Sequence, residues 1–180
     1  MGVLQAAFRL VTRLEALCLT GGILGIAGLT IANVVLRITT GTSLLFVNEI
    51  NRFLIVWVTF VGIGYGASAG RHIRMTALHD ALPERGRKAM MLVVTLLTGL
   101  LLLALTWLSL RHVLGTARTL GAVSPVLQVP LYLVYLAAPL GLFMGAIQYL
   151  LAFAQNLIAP GVYIAFGKPD GYEEPPPADI

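Results

Sequence analysis

Val61–Met75 reads VGIGYGASAGRHIRM, an apolar segment rich in glycine that ends in two arginines and a histidine. Two readings compete for it. Gly62, Gly64 and Ala67 satisfy the spacing G-x-G-x-x-G/A of a dinucleotide cradle. That pattern carries phosphate chemistry only where a strand precedes it and a fresh helix N-terminus follows. The alternative is a helix whose glycines form a packing face inside a membrane, with the cations marking the membrane's edge. The charge-free run Phe53–Gly70 decides for the second reading, because it forms one helix from end to end.

The rest of the chain repeats this pattern. Of 180 residues, 58% are hydrophobic and 11% charged, against roughly 25% charged in a soluble domain. Ala16–Leu36, Phe53–Gly70 and Ala89–Leu110 carry no Asp, Glu, Lys or Arg, and nothing between Arg118 and Lys168 does. A hydrocarbon core of about 30 Å asks for about 20 apolar residues of helix. Each of the first three runs supplies one span, and the fourth supplies one beginning after Pro130, a residue that suits a first helical turn. The expected fold is an all-α membrane protein: one domain over 1–167, with spans at about 14–38, 50–70, 86–110 and 130–155. The tail 168–180, with four prolines and four acids, is expected to be disordered.

Orientation follows from where the cations fall. With the N-terminus cytoplasmic, Arg9, Arg13, Arg71, Arg74, Arg85, Arg87, Lys88 and Lys168 lie inside. Arg37, Arg52, Arg111 and Arg118 lie outside, and eight against four favours both termini in the cytoplasm. The net charge of +4 therefore reads as topology and carries no implication of nucleic-acid binding. The N-terminal apolar stretch is too long for a secretion-signal core and reads as an uncleaved anchor. Ala6 stands where a myristoylation motif needs Ser or Thr. Cys18, the sole cysteine, has no partner for a disulfide and reads as a small apolar filler.

Between spans two and three, Met75, Leu78 and Leu82 fall on one helical face, away from Arg71, Arg74 and Asp80. This predicts a short amphipathic cytoplasmic helix in the membrane interface, ended by Pro83. In span four, Pro139 removes the donor for the Tyr135 carbonyl and predicts a kink.

Candidate contact residues follow from small and polar positions. Gly62, Gly66 and Gly70 recur every fourth residue and share a face open to a neighbouring helix; Gly21/Gly25 and Gly141/Gly145 repeat the spacing. Arg71, His72 and Arg74 suit anionic headgroups or a partner's cytoplasmic face. Glu49 and Arg52 are spaced for a local ion pair, which Arg37 can join. Asn33, a polar residue inside span one, is expected to bond across to another helix. His72, His79 and Asp80 match no standard metal-ligand spacing, and no nucleophile–base arrangement is visible, so no cofactor, metal or catalytic residue is expected in this chain. No ionisable residue lies at the middle of a span, which argues against a proton or ion relay.

Asn48–Lys88, NEINRFLIVWVTFVGIGYGASAGRHIRMTALHDALPERGRK, resembles the small, DctQ-type membrane subunit of tripartite ATP-independent periplasmic (TRAP) transporters. The shared features are Glu49 before the second span, then Arg52, the Trp57-centred apolar run, Gly62, His72-Ile73 and Leu82-Pro83. NVVLR ending at Arg37 and Ser124–Leu150 add to it, so the likeness covers most of 14–153. Family members often pair two acids where this chain has Asn48-Glu49. The resemblance implies a non-catalytic small permease in the bacterial inner membrane, bracing a large membrane subunit that holds the sodium ions and imports organic acids. It further implies a periplasmic substrate-binding protein as partner, beside membrane lipids and without nucleic acid. Asn33, Arg37, Glu49, Arg52, Trp57, Gly62, Gly66, Gly70, Arg71, His72 and Arg74 are the candidate subunit or lipid interface. The competing reading is a self-sufficient four-helix carrier of the small multidrug type, which asks for a membrane-embedded carboxylate; Glu15 lies near the cytoplasmic end of span one for that task. A membrane enzyme would need a reactive constellation that the sequence does not display.

Overall fold

The computed structural model describes residues 2–69, 83–119, 121–158 and 163–169. Its framework is α1 (Gly2–Thr40), α2 (Leu45–Ala69), α3 (Glu84–Thr119), α4 (Leu131–Tyr135) and α5 (Ala137–Ile158). A small hairpin of β1 (Tyr163–Ala165) and β2 (Lys168–Pro169) follows. Four segments are long and apolar enough to cross a membrane: Leu10–Thr40, Leu45–Ser68, Arg85–Gly115 and Leu131–Ile158. The all-α, four-span reading therefore holds. The hairpin was not foreseen, and its second strand occupies the first residues of the expected tail. The amphipathic helix expected between spans two and three lies outside the described residues.

Composition explains where each helix stops. Gly41 takes φ +71° and donates its N–H to the Arg37 carbonyl at 3.0 Å, closing α1 with a left-handed glycine. Thr39 and Thr40 turn their hydroxyls back onto the Val35 and Leu36 carbonyls, so these polar groups are satisfied within the helix's own last turn. The fourth span is broken at Leu136, between α4 and α5. Pro139 has no N–H for the Tyr135 carbonyl, so the ladder lapses there and resumes through Leu140 N–H to Leu136 carbonyl at 3.2 Å. The interruption falls where Pro139 predicts a disturbance of the helix.

The helices pack in the order α1, α2, α5, α3, with α5 between α2 and α3. Half of the most apolar stretch of the fourth span is buried, against 6% for the first. Lipid offers apolar side chains as good a home as a neighbouring helix does, so association rests on close dispersion contact between small residues. Ala137, Gly141, Gly145, Ala146 and Ala152 line the buried face of α5. A β-carbon on Gly141 would run into the backbone carbonyl of Phe60, so α2 and α5 meet backbone to backbone. One turn further, a β-carbon on Gly145 would stand 3.3 Å from both Ile63 on α2 and Leu102 on α3. Gly99 admits Leu150 from α5, and Gly22 admits Val58 between α1 and α2. The flanks stay apolar and open: Leu17, Leu24, Ile31 and Ile38 on α1, and Leu97, Leu101 and Trp107 on α3, are all exposed.

Candidate functional site

Two groups of polar residues tie the helices together among the described residues, one at each end of the spans. The first surrounds the turn between α1 and α2. Asn33 Oδ1 accepts the Leu44 N–H at 2.9 Å, supplying an acceptor to the start of α2. Asn51 Nδ2 donates to Thr30 Oγ1 at 3.0 Å, so α1 and α2 exchange a second polar contact a turn deeper. Asn33 thus bonds to the turn that leads into α2, at the Leu44 backbone, and not to a residue within the second helix.

Glu49 is buried, 8% exposed, and its Oε2 accepts the Leu127 N–H at 2.7 Å. The ion pair expected between Glu49 and Arg52 is not formed among the described residues. The loop's backbone donor draws the carboxylate inward, while Arg52 and Arg37 are exposed. The loop itself is tightly built. Ser124 is fully buried, exchanges backbone bonds with Val129 and Gln128, and takes the Val129 N–H on its hydroxyl at 3.1 Å. An isolated bridge pairs Val123 with Pro130, and Gln128 adopts φ +55° to close the turn. Val123, Val126 and Leu127 are left exposed beside Leu44, Leu45 and Phe46 of the polypeptide that Glu49 and Asn33 fasten.

The second group sits at the opposite end. Glu15 of α1 is 5% exposed, next to Gln148 of α5, itself 5% exposed. Gly64 of α2 makes this possible: a β-carbon there would lie 2.5 Å from Glu15 Oε1 and 3.3 Å from Met144 Cβ. Below them, Asn156 is wholly buried and fully bonded. Its Nδ2 donates to the Ala152 and Tyr163 carbonyls, and its Oδ1 accepts the Tyr163 N–H at 2.7 Å. Gln155 Oε1 accepts the Gly167 N–H, so two neighbouring carboxamides hold the hairpin against the end of α5.

The glycine face read from the sequence needs correcting within the bundle. Gly62 is loosely met, with Leu19 3.7 Å from a built β-carbon, and nothing approaches Gly66 within 4 Å. The close-packed position on α2 is Gly64, two residues from either, because α2 turns that face towards Glu15 and α5. Gly66 and the 40%-exposed Trp57 point away from the chain's own helices. Gly70, Arg71, His72 and Arg74 lie outside the described residues, as do His79 and Asp80. Among the described residues no three His, Cys, Asp or Glu side chains gather as metal ligands. Cys18 is exposed on the flank of α1 and fills no core position.

Glu15, Gln148, Asn51, Ser124 and Asn156 escaped sequence reasoning as site residues. A signal existed for two of them. Gln148, Ala152 and Asn156 are four apart, so their side chains lie along one face of a helix otherwise lined with small residues. Glu15 looks terminal in sequence because it stands close to Arg13, and only the fold shows it turned inward.

Comparison with known proteins finds relatives over most of the chain. The family model for tripartite ATP-independent periplasmic transporters, DctQ component, matches residues 26–159. An ectoine TRAP transporter small permease protein from Halomonas elongata is 42% identical over 96% of this chain and 89% of its own length. A C4-dicarboxylate TRAP transporter small permease protein from Rhodobacter capsulatus is 29% identical over 61% of this chain and 48% of its own. An isethionate TRAP transporter permease protein, DctMQ, from Oleidesulfovibrio alaskensis is 26% identical over 57% of this chain, and the match takes up 16% of that much longer protein.

Proposed function

The chain belongs to the DctQ-component family of the tripartite ATP-independent periplasmic transporters, and from that membership we propose that it is the non-catalytic brace of a sodium-driven importer of small organic acids. It is a transporter component and not an enzyme. The observation that carries the bracing role is the uneven burial of the spans: one helix at the centre, two long apolar flanks left open. A bundle that buries little of its own α1 and α3 has surface to give to a larger neighbour as well as to lipid. The large permease subunit of such a transporter fits as that neighbour and as the holder of sodium and substrate. The longer DctMQ permease supports this, since a segment like this chain forms a small part of it.

In this reading the chain lies in the bacterial inner membrane with both termini in the cytoplasm, as its eight-to-four distribution of cations favours. The end bearing Glu49 and the Ser124 loop then faces the periplasm. Its exposed Val126 and Leu127 offer a place where a substrate-binding protein can dock beside the large subunit. The solute of the Halomonas elongata relative, ectoine, is the first substrate to try.

A self-sufficient four-helix carrier is the second reading, and the buried Glu15 is the observation in its favour. One experiment separates the two. The chain is reconstituted in proteoliposomes alone, and together with its large permease and binding protein, under an imposed sodium gradient. The bracing reading expects uptake only from the complete set. Uptake by the chain alone overturns it.

A further inference from the structure

We propose that Glu15 and Gln148, brought together over Gly64, form a buried hydration site holding one water molecule that joins α1 to α5. Both side chains are buried, each residue being 5% exposed. Glu15 Oε2 and both Gln148 atoms, Oε1 and Nε2, have no well-formed hydrogen bond among the described residues, although Gln148 stands close enough to interact with the Glu15 carboxyl group directly. Leaving such groups unbonded costs about 1–3 kcal/mol each, more for a charged one, and hydrocarbon supplies no remedy.

The three atoms define their guest. They present two acceptors and one donor: a carboxyl oxygen, a carboxamide oxygen and a carboxamide N–H. A water molecule answers all three, giving its two O–H groups to Glu15 Oε2 and Gln148 Oε1 and taking the N–H of Gln148 on a lone pair. Three bonds is the usual complement of a buried water. A metal cation fits worse, because hard cations gather six or more oxygens and the N–H dipole here opposes positive charge. Helix order adds a reason for such a joint. α1 packs on α2 and α2 on α5, and Glu15 reaches α5 across Gly64, where α2 puts no side chain in the way.

The test uses the full chain in lipid nanodiscs, with the Gln148 side-chain amide signals identified by their loss in Gln148→Leu. Magnetisation transfer from water to that amide is expected in the native chain. Glu15→Gln, which keeps an acceptor, should retain it. Glu15→Leu should abolish it while backbone amide signals elsewhere in the bundle persist. Absence of transfer in the folded native chain overturns the proposal, whatever the variants do, so the experiment remains decisive even if Glu15→Leu fails to fold. A second arm measures thermal midpoints in sodium against choline. A sodium-dependent rise present in the native chain and missing in Glu15→Gln identifies a cation as the occupant and overturns the water. Equal midpoints in the two salts support the hydration site.

Discussion

Leu127 gives its backbone N–H to Glu49 Oε2 at 2.7 Å, and this bond fastens the loop before the fourth span to the first turns of α2. The partners are 78 residues apart in sequence, and Glu49 is shielded from solvent. A charged acceptor on a backbone donor contributes about 1.5–3 kcal/mol. Glu49→Ala should therefore lower the thermal midpoint of the chain in detergent and speed hydrogen exchange at the Leu127 amide. Glu49→Gln keeps an oxygen for that donor and should recover most of the loss. Equal effects of the two substitutions would show that the side chain acts by charge at a distance.

Two glycines on facing helices make opposite forecasts. Gly141→Ala drives a methyl into the Phe60 carbonyl, a backbone atom that cannot step aside. Overpacking of this kind costs about 1–3 kcal/mol, and more when backbone must shift. Gly66→Ala enters open space and should be neutral or stabilising by up to about 1 kcal/mol, since alanine is the better helix former. Thermal midpoints of the two purified variants check the ranking. If Gly66→Ala preserves the stability of the lone chain yet weakens co-purification with the large permease, Gly66 belongs to the subunit interface.

This contrast also marks how far the sequence could be read. Charge-free runs bounded by arginines located all four spans, because hydrocarbon tolerates so few charges that their positions alone outline the bilayer. Pro139 located the break in the last span, because a missing donor is a local property. The position at which α2 packs inside the bundle, Gly64, was not legible, since Gly62, Gly64 and Gly66 fit several helical faces and only the neighbours α1 and α5 choose among them. Glu49 was read as the partner of the nearby Arg52, and Glu15 only as a carboxylate near the cytoplasmic end of its span. Each turns instead towards an element far along the chain, Leu127 in one case and Gln148 in the other. Local spacing proposes partners; tertiary contact selects them.

Asn156 should behave as a clamp. It spends both ends of its carboxamide on Tyr163, donating to the carbonyl at 2.7 Å and accepting the N–H at 2.7 Å. Asn156→Leu keeps the volume and deletes three hydrogen bonds, two of them to the hairpin. The backbone groups of Tyr163 then lose partners worth about 1 kcal/mol each. Hydrogen exchange at the Tyr163 amide should accelerate by an order of magnitude or more, with the interior amides of α5 unchanged. Asn156→Asp keeps the acceptor and should show a smaller acceleration. An unchanged Tyr163 amide in Asn156→Leu would mean that the buried Ala165 holds the hairpin by packing.

Pro139→Ala asks whether chemistry or packing breaks the fourth span. Alanine returns the N–H that the Tyr135 carbonyl lacks and removes a residue about 3 kcal/mol poorer in a helix interior. Against straightening stand the burial of Val134, the Val123–Pro130 bridge and the Glu49 bond, all of which fix α4 where it lies. Straightening need not break all three at once, because the loop can yield while Val134 stays packed. The local gain of about 3 kcal/mol then outweighs what is lost, and α4 and α5 should merge. Spin labels at the exposed positions Leu133 and Ile158 report it. Their separation should lengthen towards the straight-helix limit of about 1.5 Å per residue. The strain then passes to the loop, and the Leu127 amide should exchange faster than in the native chain. A separation that does not change would assign the break to the packing of α4 and leave Pro139 as its passenger.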